Sequence, residues 1–198
     1  MKKVIQLALV SMIVLTACKK TEVVPVTRQS TETAAAAKPS YTAKFLATAT
    51  TNNYCISKAS NTTRGYINKV SMETINNLSG NNGGYGDFTS QSANLDKTAT
   101  YTIELTPGFV NGAAYFEYWT VYIDYNQNGI FEANEIVAKG HNAIRINKSF
   151  AIPSTAANGP THMRIQMQEG AQETDPCAIY TYGEVEDYTV VIMPPPGK

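Results

Sequence analysis

The 198-residue chain has no excess of charge of either sign: 16 basic side chains stand against 16 acidic ones, a formal net charge of zero. That excludes a protein that grips nucleic acid through bulk charge. Histidine is scarce, with only two in the chain and no H-E-x-x-H, so a zinc site lacks its usual ligands. There is no G-x-S-x-G and no phosphate-binding glycine loop, which leaves nucleophilic catalysis without a visible carrier. Only 16% of the residues are charged, whereas Gly, Asn, Thr, Ser and Tyr are abundant. This mix favours an extracytoplasmic β-domain over a helical one.

Long apolar runs are also missing, with one short exception at the start. Lys2 and Lys3 precede an apolar stretch from Val4 to Ala17 broken only by Gln6, Ser11 and Thr16. Roughly 14 residues at about 1.5 Å each reach about 21 Å, short of a roughly 30 Å hydrocarbon layer, so a spanning helix is disfavoured. A basic n-region followed by a short h-region reads as an export signal. The run ends in Leu15-Thr16-Ala17-Cys18, which resembles the lipobox of bacterial lipoproteins. That resemblance implies cleavage after residue 17, lipid on Cys18 and a membrane partner through that lipid. Several acyl chains on one residue give stable anchoring where one gives only marginal binding. Lys19, not Asp, follows the cysteine, which by the same resemblance points to the outer membrane of the cell envelope.

Residues 18–44 are rich in Thr, Ala and Pro and have no sustained period, so they read as a lipidated cysteine and flexible tether. Some 25 flexible residues span roughly 25 to 30 Å. Residues 45–193 are the size of one domain with a proper core, and 194–198 form a proline-rich tail. Period-two alternation marks strands at Tyr101–Thr106, with Ile103 and Leu105 on one face, and across Tyr115–Asp124, with Trp119, Val121 and Ile123 on one face. The opposite face, Tyr118, Thr120 and Tyr122, is a candidate exposed aromatic surface. In His162–Gln168, residues Met163, Ile165 and Met167 alternate with polar ones, and Tyr188–Met193 is apolar on both faces, as in a strand deeper in a sheet. Met72–Leu78 reads as a short helix that Asn76-Asn77 and Ser79-Gly80 end quickly. Turn clusters lie at Gly80–Gly84, Pro107-Gly108, Asn111-Gly112, Asn158–Pro160 and Glu169-Gly170. The expected fold is all-β, a two-sheet sandwich of jelly-roll or Ig-like kind.

Three cysteines is an odd count. With Cys18 assigned to lipid, Cys55 and Cys177 remain, either as a disulfide in an oxidising compartment or as two separate buried thiols.

The most specific local signal runs from Asp124 to Glu135 and fits the calcium-loop pattern D-x-[DN]-x-[DN]-G-x5-E at every position. Side-chain oxygens of Asp124, Asn126 and Asn128 converge from alternate residues. Gly129 permits the sharp turn that brings the Ile130 carbonyl inward, Glu132 holds a bridging water, and Glu135 closes the shell with a bidentate carboxylate. Phe131 sits where an apolar residue anchors such a loop. Because a strand precedes the pattern, this is a calcium loop set in a β-domain, not a helix-loop-helix. Two neutral Asn ligands point to weak, structural binding of roughly 0.1 to 1 mM. The competing reading is an Asn/Gly-rich hairpin turn that needs no metal. A second cluster, Gly183-Glu184-Val185-Glu186-Asp187, puts three carboxylates in four residues. Glycoside hydrolysis needs two carboxyls facing each other across a substrate, which neighbours alternating along a strand do not supply. A structural role, or a second set of oxygens for the metal, is the better reading, with Glu184 and Glu186 on one face and Val185 and Asp187 on the other.

The run Tyr182–Ile192 (YGEVEDYTVVI) resembles the closing signature of the GEVED domain, a module of secreted and surface proteins of Bacteroidetes. Similar motifs recur backwards through Pro176-Cys177, Gly159–Ile165, Tyr118–Gly129 and Tyr85–Thr89 to Tyr54-Cys55, with His162 where the family more often has arginine. The resemblance implies a β-sandwich accessory module and no known reaction. The resulting expectation is a lipid-anchored, calcium-stabilised envelope module for binding or adhesion, with glycan or protein as ligand, and not an enzyme. The competing class is a glycan-active hydrolase using the acids of the GEVED strand, and a third is a structural surface component without a small ligand. Removing residues 1–17 takes away Lys2 and Lys3, which leaves 14 basic against 16 acidic residues, a formal charge of minus 2.

Overall fold

The computed structural model describes residues 54–195. Cys18, the signal, the tether and residues 45–53 of the expected domain lie outside them. The described chain forms ten strands: β1 Lys58–Asn61, β2 Tyr66–Met72, β3 Ile75–Asn77, β4 Tyr85–Asp96, β5 Thr100–Gly108, β6 Glu117–Ile123, β7 Ile136–Asn142, β8 Ile146–Ala151, β9 Gly159–Glu169 and β10 Ile179–Met193. Among the described residues the helical structure is a single 3-10 turn at Ala133–Glu135. The strands make an all-β sandwich. One sheet runs β1-β10-β9-β6-β7, with β4 joining β10 on the same edge as β1, and the other runs β3-β2-β5-β8.

Alternation builds the core directly. Trp119, Val121 and Ile123 from β6, Met163, Ile165 and Met167 from β9, and Tyr188, Val190 and Ile192 from β10 meet Ile67, Val70, Ile103 and Leu105 of the second sheet in one buried cluster. Each such side chain contributes about 1.5 to 3 kcal/mol by leaving water. The strands expected at Tyr101–Thr106 and His162–Gln168 lie within β5 and β9, with the expected faces inward.

Three expectations need correction. Met72–Leu78 is not helical: Met72 pairs with Ile75 across a two-residue hairpin turn. Glu73 adopts a left-handed φ of 50°, so the reversal is made without the Asn-Gly that would have announced it. Pro107-Gly108 does not turn the chain but finishes β5, opposite Ile67 and Tyr66. The face of β6 carrying Tyr122 is not exposed, since Tyr122 is 1% accessible.

The cause lies outside the large sheet. Two irregular segments, 54–57 and 172–178, cross its outer face. Gln172 Nε2 donates to the Trp119 carbonyl (2.8 Å), Gln166 Nε2 to the Asp175 carbonyl (2.9 Å), and Ser57 Oγ to the Ala178 carbonyl (2.8 Å). A disulfide between Cys55 and Cys177 joins the two segments, with Cα atoms 5.4 Å apart across a sequence separation of 122. Closing a loop of that length is worth about 4 to 5 kcal/mol in the chain-entropy account. The sheet is therefore buried on both faces, by the second sheet on one side and by this cross-linked cover on the other.

Candidate functional site

The loop that follows β6 is built around two buried acids. Asp124 is fully buried; its Oδ1 accepts from the backbone amides of Gln127 (2.7 Å) and Asn128 (3.3 Å), and its Oδ2 from Gly129 (2.9 Å). Gln127 and Gly129 take positive φ, 59° and 83°, which curls the chain around that carboxylate. Glu135 reaches back from the 3-10 turn and accepts from the amides of Tyr125 (2.8 Å), Asn126 (3.2 Å) and Glu132 (3.1 Å). Burial pushes its carboxyl above the usual range, and these amide bonds pull the other way. Asn126 and Asn128 each donate a side-chain amide to Glu132, at 2.6 and 3.1 Å. Phe131 is 4% exposed, with its ring 5.6 Å from that of Tyr122 and under the Arg164 guanidinium at 5.2 Å. The loop thus joins β6 to β7 inside a β-domain, with the apolar anchor in place.

The donor set suits a hard cation: side-chain oxygens of Asp124, Asn126, Asn128, Glu132 and Glu135 with the Ile130 carbonyl, and no sulfur or imidazole. As placed, the five side chains accept hydrogen bonds from groups of the loop, and Asp124 also from Tyr54 outside it. Among the described residues, no three His, Cys, Asp or Glu side chains are grouped as a metal cluster.

Beside this loop, on the outer face, lies a cavity of about 330 Å³ walled by Tyr54, Tyr85, His162, Arg164 and Asp187, with Ile56 and Lys58 among its other lining residues. Its floor is a buried ion pair joining adjacent strands. Arg164 donates Nε to Asp187 Oδ1 (2.8 Å) and Nη2 to Oδ2 (2.7 Å), while Nη1 donates to the carbonyls of Cys55 and Pro176, both at 2.8 Å. A bidentate guanidinium with every edge engaged is the geometry in which such a pair survives burial. The same side chain ties the sheet to both halves of its cover. Tyr85 completes the floor by donating its hydroxyl to Asp187 Oδ2 at 3.1 Å; burial, then Asp187, push its phenol upward. His162 lies under Tyr54 with ring centroids 4.2 Å apart, and burial lowers its pKa, which favours the neutral imidazole. Tyr54 also donates to Asp124 Oδ2 at 2.6 Å, so one residue belongs to both the cavity wall and the loop.

The second acidic cluster lies within β10, and its faces are as expected. Glu184 and Glu186 turn inward, fully buried. Glu184 accepts from the amides of Ile67 (2.8 Å) and Asn82 (2.6 Å), which staples β10 to β2 and to the Gly80–Gly84 loop. Glu186 accepts from Tyr188 Oη (2.7 Å) and Asn82 Nδ2 (3.2 Å), and burial pushes its carboxyl up to about 7. Val185 packs with Ala59 and Tyr180 on the outer side, and Asp187 meets Arg164. Gly183 has φ 136°, and an added Cβ there would collide with the Met167 carbonyl oxygen. All five residues of the cluster are accounted for by packing and hydrogen bonding.

Sequence reading missed Tyr54, Lys58, Tyr85 and Arg164 as site residues. Only Arg164 carried a visible signal, a guanidinium in the middle of an alternating apolar strand. His141 lies elsewhere, stacked on Tyr118 at 4.9 Å near the other end of β6. No curated protein matches this chain. Residues 118–191, which run from β6 through the Asp124–Glu135 loop, β9 and most of β10, match the family model of the GEVED domain.

Proposed function

We propose that this protein is a lipid-anchored binding or adhesion module of the bacterial envelope, held at the outer membrane through Cys18, with a structural calcium in the loop of Asp124, Asn126, Asn128, Ile130, Glu132 and Glu135. The observation that carries the binding reading is the outer-face cavity. Its volume of about 330 Å³ is the size of a small ligand or of one unit of a larger one, and its polar groups are fixed in place before any ligand arrives. Among the described residues that line it, Asp187 is the one acid, and it is paired with Arg164, which favours binding over the facing carboxyl pair of a glycan hydrolase. The acids of the GEVED strand are engaged in structural bonds, Glu184 to the second sheet, Glu186 to Tyr188 and Asn82, and Asp187 to Arg164, which supports an accessory role over a catalytic one. Aromatic walls beside fixed polar groups suit a sugar unit or a protein side chain, and glycan or protein is the ligand class. The calcium reading is supported by the complete oxygen set and by the backbone amides already gathered on Asp124 and Glu135.

Screening the chain on glycan and matrix-protein arrays tests the binding reading, with Tyr85→Ala as the cavity control. Retention on at least one array, weakened by the substitution, is the expected result. A clean negative on both moves the assignment to a structural surface component. Calorimetric titration with calcium tests the loop: heat and a higher melting temperature at millimolar calcium are expected, and neither would remove the cation.

A further inference from the structure

We infer that Tyr54 is a positioning residue through which the cation loop sets the wall of the ligand cavity. The inference rests on the calcium and cavity readings above and adds a dependence between them. Three contacts of one side chain carry it. The Tyr54 hydroxyl donates to Asp124 Oδ2 at 2.6 Å. Its ring stacks on the His162 imidazole at 4.2 Å and on Phe131 at 4.9 Å. The same ring lines the cavity, as does His162. Asp124 is the first oxygen donor of the loop, and Phe131 is the loop's apolar anchor. A change in how the loop is organised therefore acts on Tyr54 at two places, the hydroxyl and the ring face.

The neighbouring residue fixes the direction of this effect. Cys55 is bonded to Cys177, and its carbonyl accepts from Arg164 at 2.8 Å, so the backbone just after Tyr54 cannot follow the loop. What remains adjustable is the Tyr54 side chain, which swings the cavity wall while the floor of Arg164 and Asp187 stays still. A cation on Asp124 that holds its carboxylate also holds the hydroxyl bonded to it. In return the hydroxyl orients the carboxylate, the part an outer hydrogen-bond partner plays for a metal ligand. By linkage, a ligand that needs the ordered wall binds more tightly when the loop is loaded, and the loop binds its cation more tightly when the cavity is filled.

The chain contains its own reporter and control, because it has two histidines and only His162 is in this network. His141 packs against Tyr118 and Phe116. The experiment uses the full-length chain in detergent, labelled with 15N, with calcium as the only probe, and reads calorimetric heat together with the two imidazole spin systems. In the wild type, calcium should shift the His162 resonances and leave those of His141 in place. In Tyr54→Phe, which keeps the ring and removes the hydroxyl, calcium should still give heat with an affinity about tenfold weaker, and the His162 shift should fall by more than half. A wild-type chain that binds calcium with no His162 response overturns the role of Tyr54 while leaving the calcium reading intact. An equal His162 response in Tyr54→Phe does the same, and assigns the path to the backbone bond from the Asp124 amide to the His162 carbonyl. No heat in the wild type at millimolar calcium overturns both the calcium reading and this inference.

Discussion

Replacing Glu117 with glutamine should remove a loss of stability that the wild-type domain suffers as the pH rises toward neutrality. Glu117 is completely buried on the core face of β6, in line with Trp119, Val121 and Ile123. Its cross-strand partner on β9 is another acid, Glu169, which Arg64 holds from outside at 2.9 Å. Neither carboxyl oxygen of Glu117 has a hydrogen-bond partner. Burial first, and the charge of Glu169 second, push its pKa from 4.5 up to about 7. A carboxyl whose folded pKa is raised stabilises fully below the unfolded value, and that contribution is lost as the pH climbs through the folded value. The window is therefore pH 4.5 to 7. At roughly 1.4 kcal/mol per pH unit the loss approaches about 3 kcal/mol above it, an upper bound because relaxation and water entry soften burial. For a domain of this size that corresponds to roughly 6 to 12 °C in melting temperature.

The assay is a pair of calorimetric melts of wild type and Glu117→Gln at pH 5 and pH 8.5. At pH 5 both side chains are neutral and similar in shape, and the two proteins should melt close together. At pH 8.5 the variant should melt several degrees higher. Glu186, also raised to about 7, titrates in both proteins and cancels from the comparison. Equal pH dependence of wild type and variant would refute the reasoning, because it would mean that Glu117 ionises without cost and finds partners or water in the folded protein.

Three further tests by substitution probe the frame around the cavity. Gly183→Ala should destabilise the domain by more than about 3 kcal/mol, read as a lower urea midpoint or loss of soluble protein, because the new methyl meets the Met167 carbonyl at a φ of 136°. Arg164→Met leaves Asp187 buried without its partner and should cost about 3 to 5 kcal/mol in urea unfolding, whereas the double variant with Asp187→Leu should recover much of that. Replacing Cys55 and Cys177 together with alanine should lower stability by up to about 5 kcal/mol. It should also speed proteolysis in residues 172–178, the segment that the disulfide pins to the sheet.

Much of the fold was legible because it follows from period-two alternation. The inward faces of β5, β6 and β9 are what their sequences announce, and of the two readings open for Cys55 and Cys177 the structure has the disulfide. What was not legible depends on partners remote in sequence. Tyr122 looks like an exposed aromatic until the 172–178 segment, some 50 residues later, is laid over it. Met72–Leu78 has a helical look because its turn uses Glu73 in a left-handed conformation, for which sequence offers no cue. β7 and β8 escaped notice because their alternation is interrupted by Lys139, Gly140 and His141 and by Lys148 and Ser149. At the site, the turn that follows β6 was readable because the Asp, Asn and Gly residues that shape it are neighbours in sequence. The cavity was not, since its walls come from β1, β4, β9 and β10 and the residues just before β1.

The GEVED run itself shows why a strong local signature need not mark a reaction. Three acids in four residues suggest chemistry, yet each answers a different structural demand of one strand that carries β9 on one side and β1 and β4 on the other. Glycine at 183 is required by the close approach of β9. Glu184 and Glu186 satisfy amides and hydroxyls between the sheets, where an unsatisfied donor costs about 1 to 3 kcal/mol. Asp187 neutralises the arginine that fastens the cover. A strand with those demands on both faces can accept few other residues, so the signature reports how the sandwich is closed. On the proposed binding reading, choice of ligand then falls to the cavity residues outside it. Ile56, Lys58 and Tyr85 line that cavity and belong to neither the GEVED run nor the loop. Exchanging these three with their counterparts in other GEVED-domain proteins should move ligand preference while leaving the melting temperature within a few degrees, and a swap that keeps both the fold and the original ligand preference would place specificity elsewhere.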